Sequence, residues 1–364
     1  MKKALIHIFY LSIIFSGVAH SDENFFPIGI FSANPPTVLK ELKDAGFNIV
    51  HTYEFDQDYL RKYLAQAEKV GIKTLVYPGT RFREDKFYSL EKLAKSVEEL
   101  KESAAIAAWQ LQDEPELNND TPDDMKAMLE TLHQKDPIHS AAIIINNVDH
   151  LQEFAPFTDV MMVDPYPIPG HPLTIVSDRI ELARSAVKDQ KPVWAILQAY
   201  GYQNQKYKGW GRDREPTFSE ERCMTYLSVV HGAKGIFYYT YLGSQYYIEL
   251  SPEHWKGIKQ LAGELSELTP VLLAPVSTEK IQLNVADNLK DSNGAPAIHY
   301  LLKEKDGRHY LFAVNVLDGP VTATFTDVPA KESVQLMFEK RDIPVEKKSF
   351  TDFFKPYAVR IYVF

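Results

Sequence analysis

The chain has 364 residues, 45% of them hydrophobic and 24% charged, and a formal net charge of −9. That composition is ordinary for a globular protein with a large apolar core, and the length suits two domains or one large barrel with an appendage. The acidic balance argues against a nucleic-acid partner, because nothing would neutralise phosphates, and it is compatible with a neutral ligand such as a glycan.

Residues 1–21 read as a signal peptide. Lys2 and Lys3 form a positive start, Ala4 to Val18 is an apolar run, and Ala19-His20-Ser21 fits a cleavage site before Asp22. The competing reading is an uncleaved anchor, for which the run is rather short. No Cys follows it, which argues against a lipoprotein, and no later segment is long and apolar enough for a span. The expectation is a periplasmic or secreted protein with no membrane attachment after cleavage. The only cysteine, Cys223, excludes an intrachain disulfide, so packing must hold the core. Cys223 lies in an apolar helical stretch and reads as buried rather than nucleophilic.

In chain order, Phe26 to Phe31 reads as a first strand. Pro35-Pro36 opens a helix through Ala45, Gly46 ends it, and Phe47 to Tyr53 is a second strand. Leu60, Tyr63, Leu64 and Ala67 make one helix face, Gly71 closes it, and Lys73 to Tyr77 follows as a third strand. Ser89 can cap a helix from Leu90 to about Lys101, leading into a fourth strand at Ile106 that ends in Asp113-Glu114-Pro115. Thr121-Pro122-Asp123-Asp124 is a helix start: a capping hydroxyl, proline at the first position and acids at the positive dipole end. Ala141 to Ile145 and Asp159 to Val163 are the fifth and sixth strands. A helix over Ile180 to Val187 precedes the seventh, Pro192 to Leu197. Ser219 is the expected cap of the helix carrying Glu220 to Val230, Gly235 to Tyr239 is the eighth strand, and a last helix carries Trp255, Ile258, Leu265 and Leu268.

Eight apolar strands alternating with helices over roughly 250 residues is the count and size of a (β/α)8 barrel. The strands lack polar alternation, as parallel strands covered on both faces should. An open doubly wound sheet would want a glycine-rich phosphate loop after the first strand, and Gly29 to Asn34 is not one. From about Leu272 the pattern changes to alternation, with six strands between Lys280 and Phe364 and a hairpin signal at Asp306-Gly307. The expected organisation is a signal over 1–21, a barrel over 22–271 and a small antiparallel β-sandwich over 272–364.

A barrel keeps its chemistry where strands end and loops begin. The strand ends carry Phe31 and Asn34, Tyr53 and Glu54, Tyr77 and Arg81, Asp113 and Glu114, Asn146 and Asn147, Asp164 and Tyr166, Gln198 and Tyr200, and Tyr239 and Tyr241. Aromatic faces stack on sugar rings, acids and amides satisfy hydroxyls, and a carboxylic acid can protonate a leaving oxygen. Tyr200, Tyr202 and Trp210 add rings in the polar segment after the seventh strand. The eleven His form no metal pattern, so neither metal nor cofactor is assigned.

Trp109-Gln-Leu-Gln-Asp113-Glu114-Pro115 resembles the fourth-strand signature of the (β/α)8 glycoside hydrolases of clan A, where an Asn-Glu-Pro or similar tripeptide carries the general acid/base. Ala45-Gly46-Phe47-Asn48 and His231-Gly232-Ala233-Lys234-Gly235 are similar to segments around the second and eighth strands of such enzymes. The resemblance implies a carbohydrate substrate, with Glu114 as proton donor and Asp113 in the place of the usual Asn. It also shows a departure: the nucleophile position at the end of the seventh strand holds Gln198, and an amide cannot serve as a carboxylate nucleophile. Three readings follow. Asp164, preferred over Glu54, is the second catalytic carboxylate; or Gln198 orients an acetamido group or water in substrate-assisted hydrolysis; or the protein binds glycans without cleaving them. The expected substrate contacts are Asp113, Glu54, Tyr53, Tyr166, Gln198, Tyr200, Trp210 and Tyr239. Nothing in the sequence sets the sugar or the oligomeric state.

Overall fold

A computed structural model describes residues 24–79, 89–201, 214–243 and 246–364. The expected signal peptide, Arg81, Tyr202 and Trp210 lie outside the described residues. Eight parallel strands pair in sequence order: β1 (Ile28–Ile30), β2 (Ile49–Thr52), β3 (Lys73–Val76), β4 (Ile106–Asp113), β5 (Ser140–Ile145), β6 (Val160–Val163), β7 (Val193–Gln198) and β8 (Gly235–Tyr239). β8 pairs back onto β1 and closes the barrel. Around it lie α1 (Leu39–Asp44), α2 (Gln57–Val70), α3 (Leu90–Leu100), α4 (Pro122–Lys135), the short α5 (Leu151–Phe154), α6 (Ile175–Ala186), α7 (Phe218–Val230) and α8 (Pro252–Leu272).

The barrel strands are short, β-branched or aromatic, and buried on both faces, as a parallel sheet wrapped by helices requires. Phe31, Leu75, Ala108, Ile144, Met162, Ile196 and Phe237 fill the interior, while the other face of the strands packs against the helix layer. Gly46 sits at φ +106°, and a Cβ there would lie 2.7 Å from the Ala262 carbonyl oxygen, so the turn into β2 against α8 has room only for glycine. The following Asn48 fastens β1, accepting from the Ile28 N–H and donating to the Phe26 carbonyl, both at 2.8 Å.

Caps set the helix starts. Thr121 and Asp124 form a capping box at α4. At α7 the structure corrects the expected cap: Thr217, not Ser219, caps the helix, with Glu220 returning the bond to the Thr217 N–H. The α6 helix begins at Ile175, five residues before the expected start.

Beyond α8 the chain forms β9 (Gln282–Val285), β10 (Ile298–Lys305), β11 (Arg308–Asn315), β12 (Val321–Thr326), β13 (Ser333–Leu336), β14 (Asp342–Pro344), β15 (Phe350–Phe354) and β16 (Val359–Val363). These make two antiparallel sheets, ordered β10-β11-β16-β13-β14 and β15-β12-β9, around a core of their own. Lys305 opposes Arg308 across the Asp306-Gly307 turn, as the sequence predicts. Two strands, β14 and β15, were not expected from the sequence. The appended sheets are fixed to the barrel by Arg222 of α7, which bonds both Glu264 of α8 and the Val359 carbonyl at 2.9 Å.

Candidate active site

The fourth strand positions the site through two backbone irregularities. The pairing of β4 with β5 shifts register between Gln110 and Gln112, and Glu114 then takes a left-handed φ of +47°. A non-glycine residue holds that conformation only where its surroundings enforce it. Here the Glu114 N–H still donates to the Ile144 carbonyl at 3.0 Å, and Asn118 Nδ2 donates to the carbonyls of Asp113 (2.7 Å) and Glu114 (3.0 Å). Glu116 Oε1 accepts from the N–H groups of Asn146 (2.7 Å) and Asn147 (2.9 Å), tying the turn to the end of β5.

The turn brings Glu114 against Asp164, which follows β6. The two carboxyl groups are in hydrogen-bonding contact, and Asp164 is only 2% exposed. Burial first, and then the neighbouring Glu114, hold the Asp164 carboxyl well above its ordinary range. Asn146 Nδ2 opposes this by donating to Asp164 Oδ2 at 3.2 Å, while among the described residues Asp164 Oδ1 has no donor. Two carboxyls in contact, one of them buried, disfavour ionising together, so the pair favours keeping a proton. Arg179 of α6 reaches only the Asp164 main-chain carbonyl, at 3.3 Å.

Asp113 points to a different partner, accepting from the Tyr53 hydroxyl at 3.1 Å. Burial and the Asp113 charge raise the Tyr53 phenol well above its usual value, so it remains a donor. Around the acids runs a continuous set of rings. Tyr166, Tyr200 and Tyr239 have centroids 5.4–5.8 Å apart, and Phe31 links Tyr239 (6.0 Å) to Tyr53 (6.2 Å). Tyr53, Tyr166 and Tyr239 are half-buried and Tyr200 is buried. The acids and rings from β2, β4, β6, β7 and β8 thus meet at the C-terminal end of the barrel.

Two expected contacts are placed differently. Glu54 is exposed at the start of the loop before α2, where its carboxylate faces Tyr59 rather than the acid pair. Gln198 is fully buried and committed to main chain: Oε1 accepts from the Ile168 N–H at 2.9 Å, and Nε2 donates to the carbonyls of Ile168 (3.1 Å) and Tyr200 (3.2 Å). Its amide anchors the loop that carries Asp164 and Tyr166. The sequence reading also passed over His51, whose ring lies 4.3 Å from both Phe31 and Tyr53. Burial lowers its pKa to about 3, so a neutral imidazole supports the Tyr53 ring from below. The signal was available, since His51 and Tyr53 are two apart on one strand and face the same way. Among the described residues no group of three or more His, Cys, Asp or Glu is placed to hold a metal ion.

No protein-family model matches the chain, and no curated protein matches it in sequence. Solved structures do match in fold. A β-galactosidase from Bacillus circulans sp. alkalophilus aligns with a TM-score of 0.66 over 93% of this chain and 98% of its own, at 9% identity. An α-amylase from Geobacillus thermoleovorans, complexed with acarbose, gives 0.59 over 94% and 99% at 9% identity. A glycoside hydrolase family 30 subfamily 8 xylanase from Clostridium acetobutylicum gives 0.55 over 93% and 95% at 14% identity. The chain shares the barrel-plus-β-domain fold of these glycoside hydrolases. At such identities the likeness is one of fold.

Two outcomes follow from the electrostatics. Gln198→Glu places carboxylate oxygens against the Ile168 and Tyr200 carbonyls, where the amide Nε2 now donates. It is expected to cost roughly 2–4 kcal/mol at neutral pH, less in acid where the new carboxyl is protonated, as urea denaturation at pH 5 and pH 8 will show. For Asp164 the folded pKa lies above the ordinary 3.8, so the folded state binds the extra proton and stability falls as pH rises above that value. Asp164→Asn removes this dependence. Its unfolding midpoint should gain on wild type as pH is raised from 4 to 8; a constant difference would show that the buried carboxyl does not titrate with folding.

Proposed function

We propose that the protein is an exported glycoside hydrolase in which Glu114 is the proton donor and Asp164 the second carboxyl of the catalytic pair. The observation that carries this reading is the contact between the half-buried Glu114 and the buried Asp164 at the mouth of a barrel ringed by tyrosines. The pair retains a proton at a pH where an isolated carboxylate has lost it, as a general acid requires. Glu114, the more accessible member, passes that proton to the glycosidic oxygen as the bond to the anomeric carbon breaks. The negative charge left on the pair then faces the oxocarbenium-like centre. Water completes the reaction by attacking the anomeric carbon and returning a proton to Glu114. Tyr53, Tyr166 and Tyr239 offer apolar faces to the sugar and hydroxyls to its oxygens.

Carboxyls of retaining enzymes stand about 5–5.5 Å apart and those of inverting enzymes about 6.5–9.5 Å, the wider gap admitting a water. A pair in direct contact stands closer than either range and has to part to admit a sugar; the retention expected here follows instead from Glu114 receiving the water's proton on the face that the leaving group vacates. The substrate-assisted reading is weakened because the Gln198 amide is already bonded to main chain. The neighbours in fold include an α-amylase, a β-galactosidase and xylanases, which supports a carbohydrate substrate without selecting the sugar.

The test is a panel of polysaccharides and aryl glycosides. Glu114→Gln should lower kcat by about 10²–10⁴-fold on unactivated glycosides, and by much less on dinitrophenyl glycosides, whose leaving group needs no proton. Asp164→Asn should lose activity comparably, and NMR of the first product should show retention. No turnover of any glycoside by wild type, or equal activity in Glu114→Gln, would overturn the reading. Export is tested separately: the mature protein should begin at Asp22 by N-terminal sequencing and be recovered outside the cytoplasm, whereas a chain still starting at Met1 would contradict it.

A further inference from the structure

Away from the barrel mouth, four titratable side chains line up across the junction between the barrel and the β-domain. Glu181 of α6 begins the row, with its Oε1 2.6 Å from Nδ1 of His231, the residue that follows α7. His231 Nε2 lies 2.8 Å from Nδ1 of His299 on β10. His299 Nε2 in turn lies 3.1 Å from Oδ2 of Asp291, in the loop before β10. The inner members are sheltered, the side chains of Asp291, His299 and His231 being 1%, 10% and 16% exposed. Three hydrogen-bond contacts thus lead from a helix of the barrel to a strand of the β-domain.

Each of those contacts needs one hydrogen. The carboxylates at the two ends only accept: Glu181 stands largely in water, and Asp291 Oδ1 already takes the N–H groups of Asn293 (2.9 Å) and Ala295 (2.8 Å). Two neutral imidazoles bring one hydrogen each, which leaves one contact without a donor. The ring pair therefore carries one added proton when all three contacts are made. Only one hydrogen fits in the gap between the rings, so one ring is doubly protonated and the other singly. His299 is the singly protonated one: burial first, and then His231, hold its pKa below the ordinary 6.5. His231 then donates to Glu181 and to His299 Nδ1, and His299 donates from Nε2 to Asp291.

We propose that Glu181, His231, His299 and Asp291 form a one-proton latch, which holds β10 and the loop before it against α6 and the end of α7 at neutral pH and loosens in both acid and alkali. In acid a fourth hydrogen protonates both rings, and two N–H groups then face each other across 2.8 Å. In alkali the third hydrogen leaves, and one of the contacts loses its donor. The other charged groups around the pair are already engaged. Arg184 of α6 donates to the His231 carbonyl at 3.1 Å and to Asp189 at 2.8 Å, and Asp178 accepts from Asn293 at 2.8 Å. Thr174 and Ser292, 2.9 Å apart, fasten the same loop without a titrating group. The latch uses none of the residues at the barrel mouth, so it stands apart from the proposed reaction.

The test is NMR of the imidazole nitrogens in the full chain labelled with ¹⁵N-histidine, the two rings being assigned by the signals lost in His231→Gln and His299→Gln. At pH 7 His231 should be protonated on both nitrogens and His299 on Nε2 alone. Two singly protonated rings, or a doubly protonated His299, would overturn the proposal. Stability gives a second readout. Because the fold holds His299 neutral, the unfolded chain takes up more protons below pH 6.5, and stability falls with pH there. In urea denaturation the unfolding constant of His231→Gln/His299→Gln should exceed that of wild type most at pH 7, with the ratio smaller by about threefold or more at pH 5 and at pH 9. A ratio that stays constant with pH would overturn the latch. Should the double variant fail to fold, His299→Gln alone carries the same comparison.

Discussion

Two carboxyl groups held in contact repel one another unless a proton lies between them, and the C-terminal end of this barrel is built to keep the half-buried Glu114 and the buried Asp164 in that position. Left free, Glu114 would turn toward water. It is prevented by a left-handed residue at the end of β4, by Asn118 bridging two successive carbonyls, and by Glu116 stitching the turn to the N–H groups after β5. Asp164 is prevented from leaving by burial and by the single donor from Asn146. Burial, with the Glu114 carboxyl second to it, is what raises proton affinity at the mouth. That burial is supplied by the rest of the barrel, whose interior is packed with apolar side chains beneath the pair.

This dependence gives Gln198 a physical reason. A carboxylate at the end of β7 could accept from the Ile168 N–H, but it would confront the Ile168 and Tyr200 carbonyls with oxygen. The amide satisfies all three through one side chain. The loop so anchored follows β6 and carries Asp164 and Tyr166. The residue that departs from the resembling enzymes therefore anchors the loop that holds Asp164 against Glu114.

Most of the fold was legible because its signals are local. Strands buried on both faces read as short apolar runs, and Thr121 with Asp124 announces α4 within four residues. The cap of α7 was misplaced because Ser219 was weighed alone; Thr217 has the acid three residues on that completes a capping box, and Ser219 has Arg222 there. β14 escaped because it is three residues long and ends in Pro344 at a sheet edge, and β15 because its alternation, Phe350-Thr-Asp-Phe-Phe354, is brief. At the site, strand-end position was enough to collect Tyr53, Asp113, Glu114, Asp164 and Tyr166. Pairing was not legible. That Asp113 meets Tyr53, that Asp164 meets Glu114 and Asn146, and that Gln198 meets the Ile168 backbone are contacts across 18 to 60 residues, set by register and by a bulge.

The charge state of the mouth bears on what it can accept. Burial, reinforced by nearby acids, raises the phenols of Tyr53 and Tyr166, so both remain hydroxyl donors throughout the neutral range. His51 beside Tyr53 stays uncharged because burial denies its protonated form solvent. The mouth thus combines hydroxyl donors, aromatic faces, a carboxyl pair holding one proton and the Asp113 acceptor. A ligand that carries its own negative charge would meet the pair and Asp113 and would drive further proton uptake in order to bind. A neutral ligand rich in hydroxyls meets donors and acceptors already in place and calls for no such proton uptake.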